Sequence, residues 1–227
     1  MADKKNINGF PFVSFERECY DSEMMKIRCK DFYTRMNERR TCRDFSNKPI
    51  PKEVIENIIL TASTAPSGAH KQPRTFCVVS NPEIKKQIRI EAEKEEYESY
   101  SGRMPEEWKK DLLPLQTDWK KEFLEIVPYL IIVFKKSYDF DAAGNKTNTY
   151  YANESCGIAC GFLLAAIHNA GLVALTHTPS PMNFLSTILK RPVNEKAFLV
   201  IPVGYAAEEC WVPDIKRKNL NEVIEWY

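Results

Sequence analysis

The chain has 227 residues, of which 44% are hydrophobic and 28% are charged, proportions typical of a globular protein. Its 32 basic and 31 acidic residues give a net charge of +1, so no overall field attracts nucleic acid or an anionic membrane, and any anion site has to be local. No apolar stretch approaches the roughly 18 residues of a membrane span, and no signal-peptide pattern opens the chain. We therefore expect a soluble, cytoplasmic protein without a nucleic-acid partner.

The first third of the chain predicts an arm, two helices and a strand. Residues 1–15 are polar with scattered aromatic side chains, which indicates an extended N-terminal arm. Apolar residues then recur every three or four positions over residues 17–38, the spacing of one helical face. A second helix is expected from Pro51, because proline suits a first helical turn. Residues 76–79 are rich in β-branched and aromatic side chains and predict a short strand.

The rest of the chain continues this alternation. Asn81-Pro82-Glu83 has the pattern of a helix start, residues 99–118 look less regular, and residues 139–148 form a polar loop. Further strands are predicted at 129–134, 172–175 and 197–205, and further helices at 151–170 and 185–189. Because helices and short strands alternate without an internal repeat, we expect an α+β fold. The prediction is one domain over residues 16–227, with a mixed central sheet wrapped by helices.

Three arginines surround a hydroxyl group in the segment Arg39-Arg40-Thr41-Cys42-Arg43. Guanidinium groups bind phosphate through charge-assisted and often bidentate hydrogen bonds, so this segment is a candidate phosphate clamp. The alternative is that the arginines are solvated cations at the end of the preceding helix, where positive charge is favourable.

A second segment, Thr64-Ala65-Pro66-Ser67-Gly68-Ala69-His70, has the composition of a tight turn. Glycine has no side chain to keep backbone N–H groups from approaching a flat ring. An ordinary turn is the other interpretation, since such a motif is weak evidence by itself. Together with the arginine segment, it suggests a phosphorylated planar cofactor.

Two further pairs of residues are candidates by their spacing. Glu96 lies in an acidic run that is typical of a solvated helix face, but Tyr100 follows it by one turn and shares that face. Thr176 and Thr178 alternate, so on a strand they point to the same side. Such threonines can also serve only local hydrogen bonds. We find no spacing typical of metal ligands and predict no metal site.

Together these segments resemble the nitroreductase-like flavoproteins and, among them, the iodotyrosine deiodinase family. The matching motifs are Arg-Arg-Thr-Cys-Arg-Asp-Phe at 39–45, Thr-Ala-Pro-Ser-Gly-Ala-His at 64–70, Ala-Cys-Gly-Phe-Leu-Leu-Ala-Ala at 159–166, Asn-Ala-Gly-Leu-Val at 169–173, Pro-Val-Gly-Tyr at 202–205 and Val-Pro-Asp-Ile-Lys-Arg-Lys at 212–218. The arginine motif alone points to the wider superfamily. The acidic insert and the C-terminal motif narrow the resemblance to the iodotyrosine deiodinase family.

The resemblance implies FMN, bound without covalent attachment at the interface of a domain-swapped homodimer. The residues it assigns to the flavin are Arg39, Arg40, Thr41, Arg43 and Arg217 at the phosphate and ribityl chain, Pro66, Ser67 and Gly68 at the ring, and Thr176 and Thr178 beside the ring. The Thr178 hydroxyl is expected to hydrogen-bond flavin N5, which in that family favours one-electron steps over hydride transfer. His177 departs from the human-type sequence, which has a third threonine there, and is assigned no role.

The activity implied by the resemblance is reductive removal of iodide from mono- and diiodotyrosine. Glu96, Tyr100 and Lys121, rather than the neighbouring Lys120, are expected to contact the amino-acid zwitterion from a lid formed by residues 91–121. The backbone N–H of Ala69 is expected to donate to the phenolate oxygen of the substrate. Electrons are expected from NADPH, directly or through a reductase. Members of the family can carry an N-terminal membrane anchor, and none is visible in this sequence.

Two other functions are compatible with much of the same sequence pattern. One is a general nitroreductase or quinone reductase, which takes hydride from NAD(P)H in an open site. The acidic lid residues and Thr178 count against it. The other is a non-enzymatic flavoprotein that binds iodotyrosine without reducing it, and its binding residues would be the same.

Overall fold

The computed structural model describes residues 3–227, and its central feature is a four-stranded sheet of strand order β3-β4-β8-β7. The strands are β3 (Arg74–Val79), β4 (Tyr129–Lys136), β7 (Val173–Ala174) and β8 (Glu195–Gly204). All three strand pairings are antiparallel, and the parallel component is an isolated bridge between Thr41 and Ala174. That bridge brings the arginine segment alongside the last strand of the sheet.

Helices cover the two faces of the sheet because β4 is apolar on both. Residues 130–134 of β4 are fully buried, as expected of a strand with a hydrophobic core on each side. One core takes in α2 (Lys52–Ser63) and α6 (Ala152–Asn169). The opposite core takes in α3 (Pro82–Glu98), α5 (Phe123–Ile126) and α7 (Asn183–Ile188). The α+β prediction is thus confirmed, with helices on both sides of the sheet.

The N-terminal residues group as a unit of their own, separate from the unit that begins at Arg39. A hairpin of β1 (Lys4–Ile7) and β2 (Phe10–Val13) occupies the predicted arm, whose residues 1 and 2 lie outside the described part. Asn8 and Gly9 form the turn, both with positive φ, as a two-residue hairpin requires. The helix α1 (Ser22–Glu38) follows. The predicted bounds of arm and domain stay a prediction.

Two predictions of irregular structure were wrong. Residues 99–118 contain a π-helical turn (Ser99–Arg103), the helix α4 (Glu106–Leu112) and a 3-10 turn (Leu113–Leu115). Acidic residues in the first turn of α4 and lysines in its last turn suit the helix dipole. The polar stretch 139–148 forms a hairpin of β5 (Tyr138–Phe140) and β6 (Lys146–Asn148). Its turn is closed by Asp141, which accepts hydrogen bonds from the backbone N–H groups of Ala143 and Asn145.

The start of α1 also differs from the prediction, by a few residues. Asp21 accepts a hydrogen bond of 2.8 Å from the backbone N–H of Met24, which caps the helix at Ser22 rather than near residue 17. Within residues 3–227, none of the helices has the length and apolar content needed to cross a lipid bilayer.

The helix α3 carries Glu96 near its C-terminus, and its start is fixed by the predicted cap. The Asn81 side chain accepts a hydrogen bond of 3.1 Å from the backbone N–H of Ile84, and Pro82 occupies the first turn. We predict that Asn81→Ala lowers the free energy of unfolding by about 1 kcal/mol, since an unpaired backbone N–H is left at the helix start. Urea denaturation measures the change. Asn81→Asp keeps the acceptor and serves as the control, so equal losses in both variants contradict the capping role.

Candidate active site

The arginine segment and the C-terminal tail enclose a basic cavity of about 260 Å³. Its lining residues are Arg39, Arg40, Thr41, Arg43, Leu115, Pro213, Ile215, Lys216 and Arg217. Five of these side chains are cationic and none is a carboxylate. A dianionic phosphate matches this donor set, because guanidinium and ammonium groups offer many N–H donors and no acceptor.

Hydrogen bonds hold the tail against the arginine segment. The Arg217 guanidinium donates to the backbone carbonyl of Arg39 at 2.8 Å, and the Arg40 guanidinium donates to the carbonyl of Pro213. Further along, Asp44 accepts from the backbone N–H of Trp211 through its carboxylate at 3.0 Å. The tail is therefore one wall of the basic cavity, although 170 residues or more separate the two segments along the chain.

A second cavity, of about 420 Å³, adjoins the first through Arg43, which lines both. We call it the lid cavity, because α3, the π-helical turn and α4 form one side of it. The predicted site residues on its wall are Arg43, Glu96, Tyr100, Lys121, Thr176 and Thr178. The structure thus brings together residues that the sequence places up to 135 positions apart, counted from Arg43 to Thr178.

Glu96 and Lys121 form a buried ion pair in the lid cavity. Their side chains are 15% and 5% exposed, and Lys121 Nζ lies 3.5 Å from Glu96 Oε2. Burial raises the pKa of the Glu96 carboxyl, against the opposing effect of Lys121. Burial likewise lowers the pKa of the Lys121 amine, against the effect of Glu96. Burial therefore disfavours the charged form of each group, and the ion pair offsets that cost only in part.

The structure also separates these two residues from their like-charged neighbours. Lys120 is exposed and stacks over the Trp119 ring at 5.7 Å, whereas Lys121 is buried and also donates to the backbone carbonyl of Asp118. Among the glutamates of α3, Glu95 pairs with Arg103, and Glu96 faces the cavity. Lys121 and Glu96 are thus the members of each group that a ligand in the cavity can reach.

Glu93 ties the far end of the lid to α3. Its carboxylate accepts a hydrogen bond of 2.7 Å from the backbone N–H of Lys121 and one of 2.9 Å from Arg89. The phenol of Tyr100 donates to the backbone carbonyl of Thr117 at 3.1 Å, and its ring lies 5.8 Å from the Lys121 ammonium. These contacts join the two ends of the lid segment, and Glu93 and Lys121 are held together at its base.

Thr176 and Thr178 are exposed while His177 between them is buried. The alternation is fixed by two backbone hydrogen bonds between His177 and Val200 of β8, of 2.8 and 2.9 Å. The two hydroxyl-bearing side chains therefore share one side, as the sequence predicted, and both lie on the wall of the lid cavity.

The turn segment lies outside the two cavities that the other predicted site residues line. In the described part of a single chain, Pro66, Ser67, Gly68 and Ala69 line neither the basic cavity nor the lid cavity. Ala69 has a left-handed backbone, with φ of 47°, a conformation that costs a non-glycine residue free energy. This segment and the two cavities are therefore not brought together within one chain.

Gly68 is required by packing within the chain. A Cβ atom at this position would lie 2.9 Å from the backbone oxygen of Tyr150 and 3.0 Å from a ring carbon of Tyr151. Such distances are too short for carbon, so any side chain at residue 68 has to displace the backbone at residues 150–151. The glycine thus allows the turn to sit directly against the start of α6.

Two residues of the site region were assigned no role from the sequence. Arg74 is buried, and its guanidinium donates to the carbonyls of Ser63 and Ala65, both at 2.8 Å, which holds the chain just before Pro66. His177 is 6% exposed and lies 4.0 Å from Glu96. The alternation of Thr176, His177 and Thr178 was the available clue, since on a strand the middle residue lies on the opposite side from its two neighbours.

Within residues 3–227, no cluster of three potential metal ligands occurs.

The chain is similar to known proteins along most of its length. The nitroreductase family profile matches residues 36–205, most of the chain. The chain belongs to the nitroreductase family. An iodotyrosine deiodinase of Haliscomenobacter hydrossis is 60% identical over 95% of this chain and 97% of the relative. The human iodotyrosine deiodinase 1 is 45% identical over 99% of this chain and 77% of the relative.

Among solved structures of the family, one of oxidized iodotyrosine deiodinase bound to FMN and 3-iodo-L-tyrosine aligns with a TM-score of 0.72 and 29% identity. The alignment covers 86% of this chain and 98% of that chain. The nitroreductase-like fold predicted from the sequence is thereby confirmed.

The packing around Gly68 predicts a specific sensitivity. Gly68→Ala is expected to lower the free energy of unfolding by roughly 1–3 kcal/mol, because the added methyl group forces the backbone of Tyr150 to move. Thermal denaturation followed by circular dichroism measures the loss. Gly102→Ala is the matched control, since nothing lies within 4 Å of a Cβ atom there. A Gly68→Ala variant as stable as the control contradicts the packing requirement.

The buried ion pair predicts strong coupling between its members in the ligand-free protein. Removing one charge with Glu96→Gln or Lys121→Met leaves the other buried and uncompensated, so the double variant is expected to lose less stability than the two single losses combined, by roughly 1–3 kcal/mol. Urea denaturation of all four proteins measures this coupling. The exposed pair Lys52 and Glu56 is the control and is expected to show much weaker coupling, because solvent screens its charges. Additive losses at Glu96 and Lys121 count against the pair.

Proposed function

We propose that this protein is an FMN-dependent iodotyrosine deiodinase that reductively removes iodide from mono- and diiodotyrosine. The observation that carries the proposal is the buried Glu96–Lys121 pair on the wall of the lid cavity, beside Thr176 and Thr178. A zwitterion presents an ammonium to Glu96 and a carboxylate to Lys121, and so satisfies both charges at once. The two deiodinase relatives described above support the same assignment.

FMN is the cofactor that the donor set of the basic cavity fits. Arg39, Arg40, Thr41, Arg43 and Arg217 would hold its phosphate and ribityl chain. These residues supply cations and a hydroxyl on a wall without carboxylates, which is the chemistry of a phosphate site. The related deiodinase structure holds FMN. When bound and reduced, FMN would supply two electrons, which together with one proton from solvent replace the carbon–iodine bond by a carbon–hydrogen bond and release iodide.

The residues of this chain bind and orient the substrate rather than react with it. Glu96 and Lys121 would fix the amino-acid end, remote from the halogen, and Tyr100 would close the cavity over it. Binding energy from this end is then available to hold the ring in place at the reacting carbon. The lid also excludes water from the cavity. Ala69 is assigned to the phenolate oxygen, through its backbone N–H, and Thr178 to the flavin ring, through its hydroxyl.

A homodimer is part of the proposal, because the turn segment needs a second copy to meet the cofactor. Pro66, Ser67 and Gly68 are assigned to the flavin ring, yet they line neither cavity of a single chain. The helix α1 also leaves apolar side chains in solvent, among them Ile27 at 52% and Phe32 at 64% exposure. Such surfaces are typical of a chain that associates. Electrons are assigned to NADPH, directly or through a reductase.

The experiment that tests this function uses the purified protein with FMN. Titration with 3-iodotyrosine is expected to quench flavin fluorescence, and addition of dithionite is expected to release iodide. Quenching without iodide release favours a binding protein instead. Reduction of nitroaromatics by NADPH, with no effect of 3-iodotyrosine, favours a general nitroreductase.

The zwitterion contacts predict a selective loss of substrate affinity. Glu96→Gln and Lys121→Gln are each expected to weaken 3-iodotyrosine binding by roughly 10- to 100-fold, because each removes one charge-assisted contact. FMN affinity is expected to stay unchanged, since neither side chain lines the basic cavity. Fluorescence titration measures both constants. Lys120→Gln is the matched control, as Lys120 is exposed next to Lys121. Unaltered substrate affinity in both variants would remove Glu96 and Lys121 from the site.

A further inference from the structure

His177 is a buried histidine whose position is set by the sheet. Its backbone N–H donates to Val200 at 2.8 Å, and its carbonyl accepts from Val200 at 2.9 Å. His177 lines the lid cavity together with Thr176 and Thr178, and its imidazole lies toward Glu96 of α3. Its exposure is only 6%. None of the contacts assigned above under the proposed function uses this imidazole.

The imidazole lies between the aromatic core and the carboxylate of Glu96. Its Nδ1 atom is 4.0 Å from Glu96 Oε1, and its ring meets Phe123 edge-on with the centroids 6.1 Å apart. Within residues 3–227, its Nε2 atom is buried and has no hydrogen-bond partner. The two oxygens of Glu96 are thus divided, with Oε2 toward Lys121 and Oε1 toward His177.

The surroundings of His177 keep it uncharged. Burial, together with the positive charges of Lys121 and Arg43, lowers the pKa of His177 to about 3. A neutral imidazole has one N–H group, and the carboxylate facing Nδ1 can only accept a hydrogen bond. The N–H is therefore placed on Nδ1, and the unpartnered Nε2 is left with its lone pair.

The geometry suits a contact that forms when the ion pair opens. At 4.0 Å the Nδ1 and Oε1 atoms are beyond hydrogen-bond distance, and a shift of about 1 Å would bring them within it. A substrate carboxylate that binds Lys121 draws the ammonium away from Glu96. The carboxylate of Glu96 then needs another donor on its inner side while its outer side meets the substrate ammonium.

We propose that His177 is a positioning residue for Glu96, whose carboxylate it orients toward the ammonium group of the substrate through an Nδ1–H hydrogen bond. This inference rests on the proposed function, because it takes Glu96 as the ammonium contact. It adds a specificity determinant below the lid, since a ligand without an ammonium group gains nothing from an oriented Glu96. His177 touches neither the substrate nor the reacting carbon in this role.

The test compares two ligands in variants of the FMN-loaded protein. The ligands are 3-iodotyrosine and 3-(4-hydroxy-3-iodophenyl)propionate, which keeps the carboxylate and lacks the ammonium. His177→Leu removes the N–H at similar volume and is expected to weaken 3-iodotyrosine binding by roughly tenfold, with less than a twofold change for the propionate. His177→Asn presents an amide N–H near the position of Nδ1, and is expected to restore 3-iodotyrosine affinity to within about threefold.

Controls separate positioning from packing. His168→Leu, in α6 and outside the lid cavity, is expected to leave both affinities unchanged. In a Glu96→Gln background, His177→Leu is expected to have no further effect on 3-iodotyrosine. Equal weakening of both ligands by His177→Leu overturns the proposal, and so does an unchanged affinity for 3-iodotyrosine.

A readout without substrate distinguishes failure of this inference from failure of the proposed function. The ¹⁵N shifts of the His177 imidazole in the free protein report which nitrogen carries the proton. A proton on Nδ1 is expected, and a proton on Nε2 overturns the positioning role. If the wild-type protein binds no iodotyrosine, the proposed function fails, and the tautomer still decides whether His177 faces Glu96 as a donor.

Discussion

The buried contact between Glu96 and Lys121 determines what the lid cavity can hold. Two opposite charges, 3.5 Å apart and largely removed from water, are stable only while each has a partner. Burial raises the pKa of Glu96 and lowers that of Lys121, so each group depends on an opposite charge beside it to stay ionised. This pairing is the basis for the proposed recognition of an amino acid by its two charged groups.

The rest of the molecule places this pair beside the basic cavity. The sheet supplies a rigid base, because β4 is buried on both faces and β8 holds the segment of Thr176 to Thr178 through His177. The tail closes the basic cavity by returning to the arginine segment, with Arg217 bonded to the backbone of Arg39. Arg43 lines both cavities. The basic cavity and the lid cavity are consequently held side by side by one framework.

The sequence was sufficient for features that depend on local pattern. The strand at β4 follows from its apolar run, and the start of α3 follows from Asn81 and Pro82, whose cap the structure contains. The alternation of Thr176 and Thr178 gave their common side. Those inferences needed only the periodicity of apolar side chains and the residues typical of helix starts. The helix α4 was missed because its stabilising charges lie among residues with prolines on either side, which read as irregular.

What the sequence left out depends on contacts between distant segments. Nothing near Gly68 indicates that Tyr150 will lie against it, so the reason for that glycine came only from the fold. The burial of His177 under Glu96 likewise joins the end of α3 to the strand region next to β8. Lys121, favoured over Lys120 from the sequence, lines the lid cavity, but the hydrogen bond from its backbone N–H to Glu93 could not be predicted. Such pairings carry no local signature.

That bond between Glu93 and the backbone of Lys121 makes the lid a closed loop of chain, fastened at its base. Residues 97–118 lie inside the loop, while Lys121 stands at the fastening and Glu96 only one turn of helix from it. Loop-closure entropy changes slowly with length, so the enclosed segment can be lengthened, shortened or exchanged with little strain on the contact between Glu93 and Lys121. The part of the cavity wall formed by Met104 and Trp108 thus belongs to a segment that can change, whereas Glu96 and Lys121 lie next to its fixed ends.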